Sequence, residues 1–344
     1  MRTLLGVLFL ASVAFGDSPG REIRIGVIAP LSGPMAVYGD PPRQLFQLLE
    51  PILNKESKRG FRYRFVFEDG QCGVGNHAAV AARKLIGIDR ISFLITACSG
   101  ETLQVAPIAE REKIVTIAIA SGHPDIKRAG DYIFRTYLDL TQGVELIDRA
   151  IREDGNRRVA LLTETTSFTQ SIQDVLQQKA GDLIVASEEF PVNETDFRAI
   201  LQRVRVKKPD AWYLNTAAPA SYQRLFLQLK EVAPRTAVYG YFNPGDGSTI
   251  SNLGSLQDGV VFFDVPAIAS RHPWFSQIRQ QLEGEHYSEF LLQTAHDAAL
   301  ALFQALESTG APGSVRGQLN SMVFQGAVGE FRFDLDGEVI GPGF

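Results

Sequence analysis

Hydrophobic and polar positions along this chain change period again and again. EIRIGVIAPL, residues 22–31, is an almost unbroken apolar run of strand length. QLFQLLEPILN then places Leu45, Leu48, Leu49, Ile52 and Leu53 at i, i+3, i+4, i+7 and i+8, which is one face of a helix. Pro41 and Pro42 suit the first turn of that helix, whereas Pro51 is expected to kink it. FRYRFVF (strand), HAAVAARKLIG (helix), ISFLITA (strand), TLQVAPIAERE (helix) and IVTIAIA (strand) continue the alternation. Apolar strands separated by amphipathic helices predict a parallel sheet covered on both faces.

A second set of the same kind begins near Asn156. RRVALLTE, SIQDVLQQKAG, LIVASEEF, FRAILQRVRVK, DAWYLNT, YQRLFLQLKEV, TAVYGYF and GVVFFDV alternate strand and helix in turn. Two such sets predict two α/β lobes, with the cleft between them as the natural ligand site. From residue 272 to about 319 the pattern is mainly helical, most clearly in FLLQTAHDAALALFQALES, and GEFRFDLDG reads as a late strand. No charged low-complexity tract or long linker separates the two sets, so short crossovers should join them.

The length of 344 residues agrees with about two domains. A hydrophobic content of 45% with 21% charged residues is ordinary for a globular chain. A formal charge of −5 and the lack of any lysine or arginine run argue against nucleic acid as a partner. MRTLLGVLFLASVAFG carries one positive charge at Arg2, an apolar stretch and small residues near Ala14 and Gly16. This is the pattern of a cleaved secretory signal over residues 1–16, too short for a membrane anchor. Export makes the two cysteines, Cys72 and Cys98, most simply one disulfide, with a pair of buried thiols as the alternative. Closing that 26-residue loop would contribute about 3.5 kcal/mol on the chain-entropy model.

Candidate chemistry is sparse. GVGNHA, Gly73 to Ala78, fits the glycine loop of a dinucleotide site, but it follows the second strand and no acid closes the next one. The five histidines (His77, His123, His272, His286, His296) show no metal-ligand spacing, so neither a metal nor a cofactor is expected. No G-x-S-x-G elbow or Walker loop occurs. TACSGETLQVAPI is more informative. Ser99 ends a buried strand where a helix N-cap should stand, and a helix start offers free amides suited to a carboxylate. Ser99 could equally just cap its own helix. One strand later, Ala120, Ser121 and Gly122 leave room for a ligand against the backbone.

Taken together, these segments resemble the type I periplasmic solute-binding proteins, in the leucine/isoleucine/valine-binding branch that feeds ABC importers. IRIGVIAPLSGPMAVYGD resembles the family's opening strand and loop, and EDGQCGVGNHAAVAARKLI its acidic-cysteine-helix segment. ITACSGETLQVAPIAEREKIVTIAIASGHPDI resembles the second cysteine and ligand loops, IFRTYLDLTQG the first crossover, and FQGAVGEFRFDLDGEVIGP the closing segment. The likeness covers nearly the whole chain beyond the signal. It implies two Rossmann-like α/β lobes with parallel sheets joined by three crossovers. The first would comprise residues 22–137 and 265–325, the second residues 138–264 and 326–344. It also implies a Cys72–Cys98 disulfide steadying the loop beside Ser99, with Gly73 and Gly75 merely letting that loop turn.

Carried over residue by residue, the family's amino-acid grip is only partly kept. Ser99 keeps the serine, Ala120 the backbone position and Tyr38 the aromatic of the first loop. Gly122 falls where a threonine belongs, with Ser121 adjacent as a substitute. Phe168 and Ala217 replace tyrosines, and Phe242 stands where the acid for the ligand ammonium would lie. A short shift along the chain would bring Asn243 or Asp246 to that place. A buried ammonium without a partner is costly, so this reading favours a small organic or aromatic carboxylate over an amino-acid-like ligand. His296 is expected to pack rather than bind, His123 to stand beside the ligand loop, and Arg135 to form a crossover ion pair. The resemblance makes the chain a periplasmic binding protein, not an enzyme, partnered by ABC permease membrane subunits. An extracytoplasmic sensor signalling to a membrane partner is the alternative.

Overall fold

A computed structural model describes residues 20–265, 268–282 and 288–341; the expected signal segment and His286 lie outside the described residues. The first lobe opens with β1 (Glu22–Ala29), α1 (Asp40–Glu56), β2 (Arg62–Asp69), α2 (His77–Gly87), β3 (Phe93–Cys98), α3 (Ser99–Glu112), β4 (Thr116–Ala120) and β5 (Ile133–Arg135). Its strands form a parallel sheet in the order β2-β1-β3-β4-β5. The second lobe contains α4 (Leu140–Glu153), β6 (Val159–Glu164), α5 (Ser167–Ala180), β7 (Ile184–Phe190), α6 (Arg198–Arg205), β8 (Ala211–Asn215), α7 (Pro219–Val232), β9 (Ala237–Gly240), α8 (Gly247–Leu253) and β10 (Val261–Phe262). Its parallel sheet runs β10-β9-β8-β6-β7, the same winding as the first. The chain then returns through α9 (Pro273–Gln281), α10 (Glu289–Thr309), α11 (Val315–Leu319) and an antiparallel ribbon of β11 (Phe324–Gly326), β12 (Gly329–Phe333) and β13 (Val339–Ile340).

Each sheet is covered on both faces, as apolar parallel strands require. In the first lobe, Leu45, Phe46, Leu49 and Leu53 of α1 pack with α10 on one face. Ala78, Ala82 and Leu85 of α2 pack with Val105 and Ala109 of α3 on the other. The second lobe has the same plan, with Val144 and Ile172 on one face and Leu201 and Leu225 on the other. α10 is buried nearly all round, which explains its run of alanines and leucines.

Three features bear on the sequence reading. α1 runs through Pro51 without a break, with the proline on the exposed side. The chain passes from one core to the other between Leu138, which packs on the first, and Leu140, which belongs to the second. The closing segment does not join the second lobe, however. Ala327, Val328, Phe331 and Phe333 are buried in the first-lobe core, where Phe333 meets Phe134 edge to face at 5.3 Å. Large aromatic side chains follow the available apolar surface, and here that surface belongs to α10 and β5.

Candidate functional site

In an open α/β sheet, ligands bind outside the carboxyl ends of the strands, where the strand order reverses. The two lobes turn these ends toward each other around a cavity of about 580 Å3. The loops after β1, β2 and β5, the ends of β3 and β4 and the starts of α3 and α10 supply one wall; the loops after β6, β8, β9 and β10 supply the other. The lobes also touch directly. Tyr38 Oη donates to Asn243 Oδ1 at 2.9 Å, and Met35 packs against Ala217 and Ala218.

Six of the eight expected ligand residues line this cavity: Tyr38, Ser99, Ala120, Phe168, Ala217 and Phe242. Ser121 and Gly122 are not among its lining residues. Ser121 is fully buried, with its Oγ 2.9 Å from Thr102 Oγ1, and Thr102 in turn donates to the Cys98 carbonyl. The Gly122 carbonyl accepts the Leu140 amide at 3.0 Å, and a Cβ there would press on Leu140 and Phe168. Successive residues at a strand end turn to opposite sides, so Ala120 can face the cleft only if its neighbour does not.

Ser99 is not the N-cap. That position belongs to Cys98, in extended conformation (φ −109°, ψ 154°), and Ser99 is the first helical residue. Its Oγ accepts the His123 amide at 3.3 Å, which leaves the hydroxyl hydrogen free to donate. The capping role falls instead to Glu101, which the sequence reading missed. Glu101 Oε2 accepts the amides of Cys98 (2.9 Å) and Ala97 (3.2 Å), and Oε1 accepts that of Cys72 (3.0 Å). Burial pushes this carboxyl up to about 8 in spite of those three donors. A glutamate three residues after a cap is a recognised signal, and it would have been legible had Cys98 been taken as the cap.

The disulfide is present: Cys72 and Cys98 are bonded, with Cα atoms 5.1 Å apart. The glycine loop serves this bridge. Cys72 itself has φ 57°, and Gly73 has φ +83° and lies so close to Gly100 that a Cβ would come within 2.4 Å of its carbonyl carbon. Only glycine fits there.

The opposite wall is aromatic but also acidic. Phe242 meets Tyr38 edge to face at 5.8 Å and Phe168 at 5.7 Å. Asn243 is committed elsewhere, its Nδ2 donating to the Thr216 carbonyl (2.6 Å) and hydroxyl (2.9 Å) and its Oδ1 accepting from Tyr38. Asp246 lines the cavity while capping α8 through one oxygen. Asp264 lines it as well and arrives from the loop after β10. Much of its side chain keeps contact with the open space, yet its depth between the lobes raises its carboxyl above the usual range, and Asp246 adds to the rise. Glu289, at the start of α10 on the first-lobe side, also lines the cavity but is paired with Arg279 at 2.7 Å. Among the described lining residues there is no lysine, arginine or histidine.

The remaining candidates stand outside the cavity. His296 is buried against Asp297 (2.7 Å) and Phe275, and His123 borders a separate polar cleft beside α5. Arg135 pairs with Asp139 and Glu338. Among the described residues, no group of three or more His, Cys, Asp or Glu side chains could hold a metal ion.

Two similarly wound lobes closing on one cavity define a bilobal ligand-trapping protein. The family model described as periplasmic binding protein matches residues 22–344, and the chain belongs to that family. It is therefore a solute-binding protein rather than an enzyme. A Leu/Ile/Val-binding protein homologue of Brucella melitensis biotype 1 is 21% identical over 362 residues, covering 100% of this chain and 96% of that one. The solute binding protein of an ABC transporter from Rhodopseudomonas palustris BisB5, solved in complex with 3,4-dihydroxybenzoic acid, superposes with a TM-score of 0.78 at 21% identity, covering 93% of this chain and 91% of that one. A branched-chain amino acid transporter substrate binding protein from Streptococcus pneumoniae, in complex with isoleucine, gives a TM-score of 0.78 at 20% identity, with 92% and 93% covered.

Proposed function

We propose that this chain is the exported binding component of an ABC importer, and that closing its lobes captures a small carboxylate that also carries a positive group, as an amino acid does. One observation carries the reading: the cavity joins a helix start and the Ser99 hydroxyl on one wall to Asp246 and Asp264 on the other. The first-turn amides of α3 have no acceptor within the helix and suit a carboxylate. The two aspartates, with no basic side chain among the described lining residues, would repel a plain anion and favour a ligand ammonium. Phe242, standing where the family's acid is expected, by itself favours a plain carboxylate. Asp246 and Asp264 supply acids from other positions and reverse that preference. The relatives point both ways, since the two solved structures hold an aromatic acid and isoleucine respectively.

Calorimetry on matched pairs tests the reading: leucine against its keto acid, and phenylalanine against phenylpropionate and benzoate. The amine-bearing member of a pair should bind at least tenfold tighter. Tighter binding of the acids lacking nitrogen would overturn the ligand assignment, and loss of solute uptake on deleting the gene tests the importer role.

A further inference from the structure

We propose that Arg135 is the positioning residue that couples the loop after β4, which backs Ser99, to the hinge. Its side chain is fully buried at the end of β5, where the chain leaves the first lobe. A guanidinium carries five N–H donors in a fixed plane, and here all five are used. Nε donates to Glu338 Oε2 at 2.9 Å, and Nη2 donates to the same oxygen and to Asp139 Oδ2 at 3.2 Å. Nη1 donates to the carbonyls of Ser121 (3.2 Å) and His123 (3.1 Å).

These acceptors belong to three segments with different duties. Asp139 begins the second lobe, its other oxygen capping α4 through the Thr141 amide at 2.8 Å. Glu338 lies in the C-terminal ribbon, which also pairs with Arg135 through a backbone bridge and the Gly337 carbonyl at 2.9 Å. Ser121 and His123 form the loop after β4, and the His123 amide donates to Ser99 Oγ. One rigid fork thus spans the loop behind Ser99, the crossover into the second lobe and the closing ribbon. Bending the crossover moves Asp139 against Arg135, and any shift of Arg135 reaches Ser99 through two carbonyls. A lysine has three donors around a point and cannot hold these acceptors together.

The solute-dependent half of this proposal rests on the reading of the site given above; the hinge half does not. The test therefore has two arms, applied to Asp139→Asn, Glu338→Gln and Arg135→Lys. An asparagine can still cap α4 and a glutamine keeps the shape of the glutamate it replaces, so the two acid-to-amide variants decide the matter if Arg135→Lys does not fold. Small-angle scattering without any solute should show a larger radius of gyration for each variant than for the wild type, because the lobes part. Stopped-flow with the solute from the calorimetric screen should show release at least threefold faster for Asp139→Asn and tenfold faster for Arg135→Lys, with association within twofold of wild type. Folded variants with wild-type scattering and wild-type release overturn the proposal. If no solute binds the wild type, the reading of the site fails, while scattering still decides the hinge.

Discussion

The two walls of the cleft have the same winding and opposite chemistry. In each lobe a buried glutamate collects backbone amides at the carboxyl edge of the sheet. In the first, Glu101 reaches back from inside α3 to the amides of Ala97 and Cys98 and across to Cys72. This leaves the first turn of α3 facing the cavity. In the second, Glu164 at the end of β6 takes the amides of Ala217 (2.7 Å) and Ala218 (3.1 Å) and the Ser221 hydroxyl (2.6 Å). The protein's own carboxylate thus occupies the anion position at the start of α7. Burial raises the carboxyl of Glu164, as it does that of Glu101. The difference gives the cleft its direction: the start of α3 is left to a solute's negative end, whereas the start of α7 is already filled. The second wall recognises through side chains, which a sequence can exchange without disturbing the backbone.

The largest expected effect is a pH dependence carried by the buried glutamate of the first wall. The folded Glu101 carboxyl titrates near 8 against an ordinary value of 4.5, so between these the folded chain holds a proton that the unfolded chain has released. Stability should therefore fall as pH rises through this window, by at most about 5 kcal/mol. Glu101→Gln should flatten the slope of denaturation midpoint against pH, and an unchanged slope would remove Glu101 from the account. Next, replacing both cysteines by serine should cost about 3.5 kcal/mol, confined to the first lobe. Hydrogen exchange should quicken there while α5 and α7 keep their protection. Equal loss in both lobes would show that the bridge does not act locally.

The second wall is probed by Asp246→Asn with Asp264→Asn. Affinity for the amine-bearing solute should drop about a hundredfold, as expected for a desolvated charge pair losing one side, while that for the matching acid should rise. Parallel losses for both would deny the aspartates their role. Ser99→Ala is the mildest, with about tenfold weaker binding of either ligand as one hydrogen bond goes. A larger loss for one ligand than the other would mean that Ser99 touches more than the carboxylate.

Much of the fold was legible because strand and helix periods alternate cleanly; HAAVAARKLIG coincides with α2 from end to end. Ser99 and Ala120 were legible as strand-end residues beside a helix start. The rest was hidden for definite reasons. The helix cap was misread by one position because serine is the commoner cap and a bonded cysteine is not. Ser121 and Gly122 were grouped with Ala120 because small residues look alike in sequence, whereas the pleat separates them. Asp264 enters the cavity from the loop after β10, far along the chain from Phe242, so no local motif could mark it. The ribbon's place depended on Phe331 and Phe333 finding the first-lobe core, a contact that spans most of the chain.

That last placement bears on the order in which the molecule is made. The second lobe is one continuous stretch, from α4 to β10, and holds every strand of its sheet. The first is completed only by α10 and the ribbon, which come last. A chain emerging from its amino end can therefore finish the later-numbered lobe while the earlier one still awaits its lid. Until then the apolar surfaces of α1 and β4 that α10 covers lie bare, which is where a holdase has most to protect.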